Sequence, residues 1–517
     1  MKPPRFIERV LDSTLPVLGA VDRSAVVEHL ASASLTLRTN PRGLEETSAA
    51  GFLLAANLAA RLYPRIYLDA PEDLAKDAEG EIILINPRCE VVREAGDSTA
   101  TLCYELPAGE GEISAAARGW NVYVDQSPEI KLPPAAPAAL LAAAMGIGEA
   151  FRVLFRDQLG DRGRQGPSPF AFNLITLGGP GKEPPVPDHP NLGHFNLIGA
   201  GAIGQAAAKT IALCAPRATM IAIDHEKITL SNLQRYLLTR DPDPGVVKVD
   251  LLTERLGDND LEIVPVPTRW QAALGGEGIP SLIALDTAQA RIEVQAALPG
   301  PIYNAWTQPA DIGFSRHERF GEDPCLACLY WPDRPRPSRH EQIGMALRQH
   351  PARCLAYLVH AGIPVGVPLP PEAVGSLAGT TLPPEVGEWS QRPILDDIAT
   401  TAAVDLADLA PWRERSLADL YQEGICGGAI LDLGIGEAPQ EALVPLAHQS
   451  AFAGIMLAVQ FIAASVPELR EARSDQTEGR YDLLSAGEQV LGRPRLRSPG
   501  CFCSDVVYRA VYAEKST

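Results

Sequence analysis

The chain has 517 residues, of which 46% are hydrophobic and 21% charged, and its formal net charge is −19. This length and composition predict a globular protein of roughly three domains. The negative charge argues against a nucleic-acid backbone or an anionic membrane as partner. No uninterrupted apolar run reaches about 18 residues, and the N-terminus lacks the apolar core of a signal peptide, so a cytoplasmic location is expected.

Residues 1–160 predict a first α/β half with a mostly parallel sheet. Its predicted strands are 35–39, 66–69, 81–85 and 120–124, and its predicted helices are 47–62 and 137–155. The loop after the first strand, residues 40–46, offers one glycine and two carboxylates where a triphosphate would need backbone amides and cations. This half is therefore predicted not to bind ATP.

Residues 161–190 are rich in glycine and proline and are predicted to form an extended, mobile linker. A second α/β half, predicted over 191–337, begins with an apolar run that leads into Gly199, Gly201 and Gly204, and Asp224 closes the next apolar run. This pattern places phosphates at a helix N-terminus and a ribose on the carboxylate. Alone, it is also typical of a dinucleotide-dependent dehydrogenase or of a Rossmann unit without a ligand.

A group of polar residues follows the glycine turn. Segment 231–235 contains Asn232 and Arg235, Lys248 comes thirteen residues after that arginine, and Asp286 follows another apolar run. A hydride-transfer enzyme has no need of cations here, whereas an enzyme that cleaves ATP between its α- and β-phosphates does, so ATP is favoured over NAD. Arg235 and Lys248 can neutralise the phosphates, Asn232 can donate to a phosphate oxygen, and Asp286 can bind Mg²⁺. Each residue alone could be an ordinary turn, surface or capping residue.

The nine cysteines are an odd number, which suits a reducing compartment. Two close pairs could together complete a tetrahedral structural Zn²⁺ site, although separate redox pairs would have the same spacing; they are Cys325 with Cys328, and Cys501 with Cys503. Three other cysteines lie in or beside apolar runs and are predicted to be core residues: Cys89, Cys103 and Cys214.

Residues 338–425 show helical periodicity interrupted by prolines and are predicted to form a small helical insertion, after which 426–517 return to the second half. Two cysteines remain as candidates should the chemistry require a nucleophilic thiol. Cys354 lies in an amphipathic helical pattern, where cysteine is usually buried, whereas nearby glycines leave Cys426 accessible. Cys426 is therefore preferred, the alternative being an unreactive cysteine in a glycine-rich turn.

The glycine turn together with Asp224, segment 231–235, Lys248 and Asp286 resembles the signature of the ThiF/MoeB/HesA adenylyltransferase superfamily, which includes the ubiquitin-activating enzymes. The resemblance implies an α/β fold of two Rossmann-like, doubly wound halves, the N-terminal one inactive and the C-terminal one active. It implies ATP ribose on Asp224, Mg²⁺ on Asp286, and zinc on the cysteine pairs. The phosphates would be held by three residues: Asn232, Arg235 and Lys248.

The resemblance also implies an arginine that reaches the ATP site from the inactive half, for which Arg5 and Arg9 are candidates. Two positions depart from the family pattern: Tyr236 stands where glutamine is frequent, and Thr287 where asparagine is frequent. Neither change removes a charge from the catalytic cluster.

The function that the resemblance implies is activation of a ubiquitin-like protein, as in bacterial ubiquitination-like antiphage operons. The substrate's C-terminus would be adenylated with MgATP, captured on Cys426 as a thioester, and handed to a conjugating enzyme. Whether the fused pair forms a further homodimer is left open. The alternatives are a ThiF/MoeB-like enzyme that adenylates a sulfur carrier or peptide without thioester transfer, and a non-catalytic scaffold.

Overall fold

The computed structural model describes residues 4–515 except 20, 129–130, 182, 258–259, 272–277, 309–310, 332–337, 361, 376, 378–383, 403, 422–443, 485–487 and 490–495. The chain divides into two compact units. The larger unit comprises Met1–Trp331 and Pro445–Thr517, and the smaller comprises Pro332–Val444.

The first half of the larger unit contains, in chain order, α1 (Ile7–Leu18), α2 (Arg23–Ser32), β1 (Ser34–Arg38), α3 (Glu46–Ala59), β2 (Arg65–Asp69), α4 (Glu72–Ile85), β3 (Glu90–Val92), β4 (Ala100–Tyr104), β5 (Ile113–Arg118), β6 (Asn121–Val124), α5 (Ala136–Leu154), α6 (Arg156–Leu159) and β7 (Phe170–Asn173). The second half begins with β8 (Asn191–Ile198), α7 (Ala202–Ala212), β9 (Arg217–Ile223), α8 (Lys248–Leu256), β10 (Leu261–Val266), β11 (Ser281–Ile283), α9 (Ala288–Ala296), β12 (Ile302–Gln308), β13 (Asp311–His317) and α10 (Leu326–Tyr330).

The smaller unit contains α11 (Arg339–Leu347), α12 (Pro351–Val359), α13 (Pro371–Gly375), α14 (Ile394–Ala402) and α15 (Leu417–Asp419). The chain then completes the second half with α16 (Ala447–Ser465), α17 (Pro467–Ala472), β14 (Glu478–Asp482), β15 (Glu488–Gln489) and α18 (Val506–Lys515). In its described part the smaller unit is helical and has its own apolar core.

Both sheets follow one plan. The first has the order β3-β2-β1-β4-β5-β6-β7, and the second has the order β10-β9-β8-β11-β12-β13-β14-β15. In each sheet the first five strands run parallel to one another, and each later strand pairs antiparallel with the strand before it. The two Rossmann-like halves are thus confirmed. In this strand order, the chain reverses direction across the sheet between β1 and β4 and between β8 and β11, which is where such sheets bind ligands.

A long apolar helix lies at the centre of each half. α5 and α16 each have 19 residues and are long and apolar enough to cross a membrane, but 94% and 100% of their most apolar windows are buried inside the protein. Such burial is typical of core helices. Gly454 of α16 lies so close to α7 that a Cβ there would be 2.4 Å from Ala206 Cβ and 2.4 Å from the Ile203 carbonyl oxygen.

Two segments differ from their predicted structure. Residues 81–85, predicted as a strand, form the end of α4, because Ala75, Ala78 and Ile82 share a buried face with Ile85 at helical spacing. The predicted linker 161–190 contributes β7 to the first sheet. There Glu183 accepts hydrogen bonds from the Trp120 amide and from two side-chain amides of the sheet, so this part of the segment is held by the fold.

Candidate active site

The glycine turn lies between β8 and α7, beside the point where the strand order reverses. Gly199 has φ of +98°, and a Cβ there would be 2.6 Å from the Ala284 carbonyl oxygen. A Cβ on Gly204 would be 2.0 Å from the Gly199 carbonyl oxygen, whereas one on Gly201 would meet only the Tyr236 hydroxyl, at 3.3 Å. Two of the three glycines are therefore needed for close backbone contact, and the turn brings backbone amides to the N-terminus of α7.

Asp224 follows the last residue of β9 and binds the glycine turn directly. One of its carboxylate oxygens accepts from the Ala200 amide at 2.8 Å, and the other accepts from the Glu226 amide at 2.9 Å. The carboxylate therefore lies against the turn, as a ribose-binding acid would.

Lys248 begins α8, with its side chain 4% exposed. Its Nζ donates to Glu226 and, at 3.2 Å, to the Tyr236 hydroxyl. Burial lowers the pKa of Lys248, but Tyr236, Asp224 and Glu226 outweigh it and hold that pKa above its usual value. Burial likewise raises the pKa of Glu226, and the charge and hydrogen bond of Lys248 reverse that shift, so the pKa of Glu226 lies below its usual value. The ammonium and the carboxylate are both ionised at neutral pH.

Asn232 and Arg235 lie on and after a 3₁₀ turn, Leu230–Gln234. Asn232 Oδ1 accepts from the Thr229 amide at 2.9 Å, which closes a capping box and leaves the amide nitrogen of Asn232 as a donor. The guanidinium of Arg235 lies 5.5 Å from the centre of the Tyr236 ring. Burial lowers the pKa of Arg235 to about 10, so this side chain is still a cation at pH 7.

Asp286 is exposed and follows β11. Its negative charge raises the pKa of Arg235, whereas the positive charge of Arg9 from α1 lowers it. Arg5, the other arginine considered for the ATP site, forms an ion pair with Asp241 at 3.0 Å. Thr287 caps α9 by accepting from the Ala290 amide.

Two side chains of the first half support this site and were not predicted. Arg61, which follows α3 and is 1% exposed, donates to the carbonyls of Leu233, Leu237 (3.3 Å) and Thr239 (3.4 Å). Asn57 donates to the Leu237 carbonyl at 2.9 Å and accepts from Arg61 Nε at 3.1 Å. The loop that carries Arg235 is thus shaped by the other half of the fold. Glu226, the counter-ion of Lys248, was also missed, although it lies two residues after Asp224.

The same end of the first sheet has different residues. The Thr39 amide donates to the Asp69 carbonyl in the first sheet, just as the Gly199 amide donates to the Ile223 carbonyl in the second. Thr39 therefore occupies the position of Gly199. Ala70, which follows Asp69, occupies the position of Asp224. Arg38 spans this end of the sheet, with ion pairs of 2.8 Å to Asp69 and 2.5 Å to Glu112. This end therefore has neither the glycine nor the acid that occupy these register positions in the second half.

The structure brings the four paired cysteines together. The sulfurs of Cys325 and Cys501 are 3.4 Å apart, those of Cys328 and Cys503 are also 3.4 Å apart, and all four sulfurs lie within 4.8 Å of one another. A tetrahedral Zn²⁺ with bonds of about 2.3 Å separates its sulfur ligands by about 3.8 Å. Four buried sulfurs in this arrangement could hold such a metal.

The predicted nucleophile, Cys426, lies outside the described residues. Cys354 is fully buried in α12, and burial raises its pKa to about 12. Cys89, Cys103 and Cys214 are buried or partly buried, and burial raises the pKa of each thiol to about 12. Their surroundings match those predicted for core cysteines.

The chain was compared with known proteins. A model of the ThiF family matches residues 192–298. The y4jF protein of Sinorhizobium fredii (strain NBRC 101917 / NGR234), an uncharacterized protein, is 31% identical over 488 residues, which cover 89% of this chain and 87% of the relative.

Among solved structures, E. coli MccB with ATP is 11% identical over 76% of this chain and 97% of its own, with a TM-score of 0.35. The microcin C7 biosynthetic enzyme MccB in complex with N-formylated MccA is 11% identical over 76% and 98%, also with a TM-score of 0.35. PaaA is 20% identical over 24% of this chain and 40% of its own, with a TM-score of 0.21. These scores are too low to support an argument about architecture or activity.

The family match falls on the segment that carries the glycine turn, Asp224, Arg235, Lys248 and Asp286. The resemblance inferred from these residues is therefore confirmed. This chain therefore belongs to the same family as y4jF, and its residues 192–298 match the ThiF family.

Proposed function

We propose that this protein is an activating enzyme that adenylates the C-terminal carboxylate of a ubiquitin-like protein with MgATP and then captures the acyl group on Cys426. The observation that carries the proposal is the position of Asp224, Lys248 and Arg235. Asp224 accepts from the glycine turn, and Lys248 and Arg235 both contact Tyr236, whose hydroxyl lies beside Gly201 of that turn. The turn lies at the end of β8, where the strand order reverses. A site built for hydride transfer would not need the two cations.

In the proposed reaction, the substrate carboxylate attacks the α-phosphorus of ATP. A bond forms between carboxylate oxygen and phosphorus while the bond to the bridging oxygen of the β-phosphate breaks, and its electron pair leaves with pyrophosphate. Arg235 and Lys248, both charged at pH 7, stabilise the negative charge that builds up on the phosphates. To bind a phosphate, Lys248 has to break its ion pair with Glu226 and form one with the phosphate. The Glu226 side chain is 42% exposed, so it has room to turn away.

Asp286 would hold Mg²⁺, because it is an exposed carboxylate at a strand end with no hydrogen bond or ion pair to another described residue. When bound, magnesium draws negative charge from the phosphates of ATP. The four cysteines would hold a Zn²⁺, which would serve a structural role by linking their two segments.

The adenylation step is tested by isotope exchange between ATP and pyrophosphate in the presence of a small protein encoded beside this chain. Exchange is expected only when the small protein ends in its intact C-terminal glycine, and Asp286→Asn should abolish it. Exchange that is the same without any partner protein contradicts the proposed substrate. Exchange that Asp286→Asn leaves unchanged contradicts the proposed site.

The thioester step is tested with the same partner by gel electrophoresis with and without thiol reductant. A reducible adduct is expected in the wild type and in Cys354→Ala, whereas Cys426→Ala should lose the adduct and keep ATP–pyrophosphate exchange. The two cysteine variants serve as matched controls for each other. Loss of the adduct in Cys354→Ala alone would assign the thioester to the other thiol. A conjugating enzyme should then accept the acyl group, in a pathway that we expect to be cytoplasmic.

A second candidate function is adenylation of a sulfur carrier or peptide without thioester transfer. It is favoured by the cysteines outside the two pairs, since every one of them in the described part of the chain is shielded by burial and has a raised pKa. This candidate predicts substrate-dependent exchange but no reducible adduct in either the wild type or Cys426→Ala.

A further inference from the structure

The peptide that leads into Asp286 is held by one buried guanidinium. Arg291, in α9, is 5% exposed and donates through Nε to the Leu285 carbonyl at 3.1 Å. Its Nη2 also donates to Leu285 and, at 3.1 Å, to the Ala305 carbonyl of β12. The Asp286 carboxylate has no side-chain partner among the described residues. Its position therefore depends on the position of the backbone at Leu285.

The same guanidinium reaches the cysteine cluster. Arg291 Nη1 donates to the hydroxyl of Tyr330, and the guanidinium lies 4.9 Å from the centre of the Tyr330 ring. Tyr330 ends α10, the short helix that contains Cys328 and starts directly after Cys325. A second hydrogen bond fixes the hydroxyl, since Asn304 Nδ2 donates to it at 3.2 Å.

A parallel set of contacts joins the same elements. The Leu326 amide of α10 donates to Gln295 of α9 at 2.9 Å. From β12, Asn304 also donates to Ser315 at 3.1 Å; Ser315 lies 2.9 Å from His317, which contacts the carbonyl of Pro324 at 2.9 Å, next to Cys325. The position of α10 is thus fixed against α9, β12 and β13.

We propose that Arg291 and Tyr330 are positioning residues that set Asp286 for Mg²⁺ binding from the cysteine cluster. The proposal rests on the proposed function, in which Asp286 holds the magnesium of MgATP. A metal held by the four cysteines would fix the position of α10. This helix ends at Tyr330, whose hydroxyl accepts a hydrogen bond from the guanidinium that holds Leu285. Two metal sites at different ends of this hydrogen-bonded path are thereby coupled.

The test uses the full-length, zinc-loaded protein and measures how ATP raises the thermal unfolding temperature as Mg²⁺ is increased. Tyr330→Phe keeps the ring but removes the hydroxyl. Arg291→Lys keeps the positive charge but loses the planar guanidinium that donates to several acceptors at once. Each is expected to raise the Mg²⁺ concentration at half-effect about tenfold, as loss of a partner behind a metal ligand does. At saturating Mg²⁺ the shift caused by ATP should match the wild type.

The matched control is Tyr508→Phe, which removes a hydroxyl from the aromatic residue that packs on Phe502 at 4.9 Å, beside the same cysteines. It should have the wild-type Mg²⁺ requirement. The proposal is overturned if Tyr330→Phe also has the wild-type Mg²⁺ requirement. It is likewise overturned if Tyr330→Phe loses its zinc, because the hydroxyl would then support only the cysteine cluster. If Asp286→Asn has the wild-type Mg²⁺ requirement, the proposed magnesium site itself fails, and the positioning role fails with it.

Discussion

His448 is expected to make the fold sensitive to acid. It lies in α16 with 3% of its surface exposed, its ring centre is 5.8 Å from that of Phe151 of α5, and within the described residues its Nε2 has no hydrogen-bond partner. Burial lowers the pKa of His448 to about 3. The folded protein therefore keeps this ring neutral under conditions in which the unfolded chain protonates it.

The sign and size of the effect follow from that difference. The unfolded chain takes up a proton below about pH 6.5 and the folded chain only near pH 3, so acid favours the unfolded chain. Full stability is retained above about pH 6.5, and about 1.4 kcal/mol is lost for each pH unit below it, or about 2 kcal/mol at pH 5. The loss levels off near pH 3.

The assay is equilibrium urea unfolding at pH 7.5 and at pH 5.0. In His448→Leu, the fall in the free energy of unfolding between the two pH values should be about 2 kcal/mol smaller than in the wild type. Comparing the two falls cancels both the packing change and the titration of other groups. The exposed His194, changed to leucine, should leave the fall as in the wild type. An equal fall in His448→Leu and the wild type would refute the reasoning.

Four further predictions concern the site and its support. Lys248→Met should reduce ATP–pyrophosphate exchange about 100-fold or more, because it removes a cation from the phosphates, whereas the exposed neighbour Lys227→Met should not. Gly204→Ala should lower the unfolding temperature and abolish the shift caused by MgATP, since its Cβ would overlap a backbone oxygen; Gly178→Ala, with open space around it, should do neither. Arg61→Met should weaken ATP binding measured by calorimetry by about tenfold or more, because it leaves buried carbonyls unpaired, and unchanged binding would show that the loop keeps its shape without that side chain. Removal of metal from the cysteine cluster by a chelator should lower the unfolding temperature, with zinc restoring it and magnesium not; an unchanged temperature after verified metal loss would contradict a structural role.

Sequence reasoning succeeded where neighbouring residues determine the structure. The glycine turn and Asp224 belong to one strand-turn-helix-strand unit, and the spacing within each cysteine pair already fits a shared metal. The strand predicted at 81–85 failed because a short apolar run is compatible with either a strand or the end of a helix, and the acidic first turn of α4 at Glu72 decides in favour of the helix.

The residues that were missed act over long distances in sequence. Arg61 bonds to a carbonyl 172 residues away, and no local pattern marks a lone arginine at a helix end as a support for another half of the protein. Arg291 is similar, because its role depends on Tyr330, which it meets only after α9 and α10 have packed. Glu226 could have been found, since it is a carboxylate only two residues after Asp224, the predicted ribose acid.

The contacts of Arg61 also bear on the order in which the parts of the protein fold. Arg61 is synthesised early in translation, whereas the carbonyls of residues 233, 237 and 239 to which it donates are synthesised much later. The loop that carries Arg235 thus reaches the shape seen in the structure only after both halves of the larger unit have folded and packed together. A fragment starting at residue 191 would contain every residue of the motif from the glycine turn to Asp286. It would lack Arg61 and Asn57, whose hydrogen bonds shape the loop that carries Arg235.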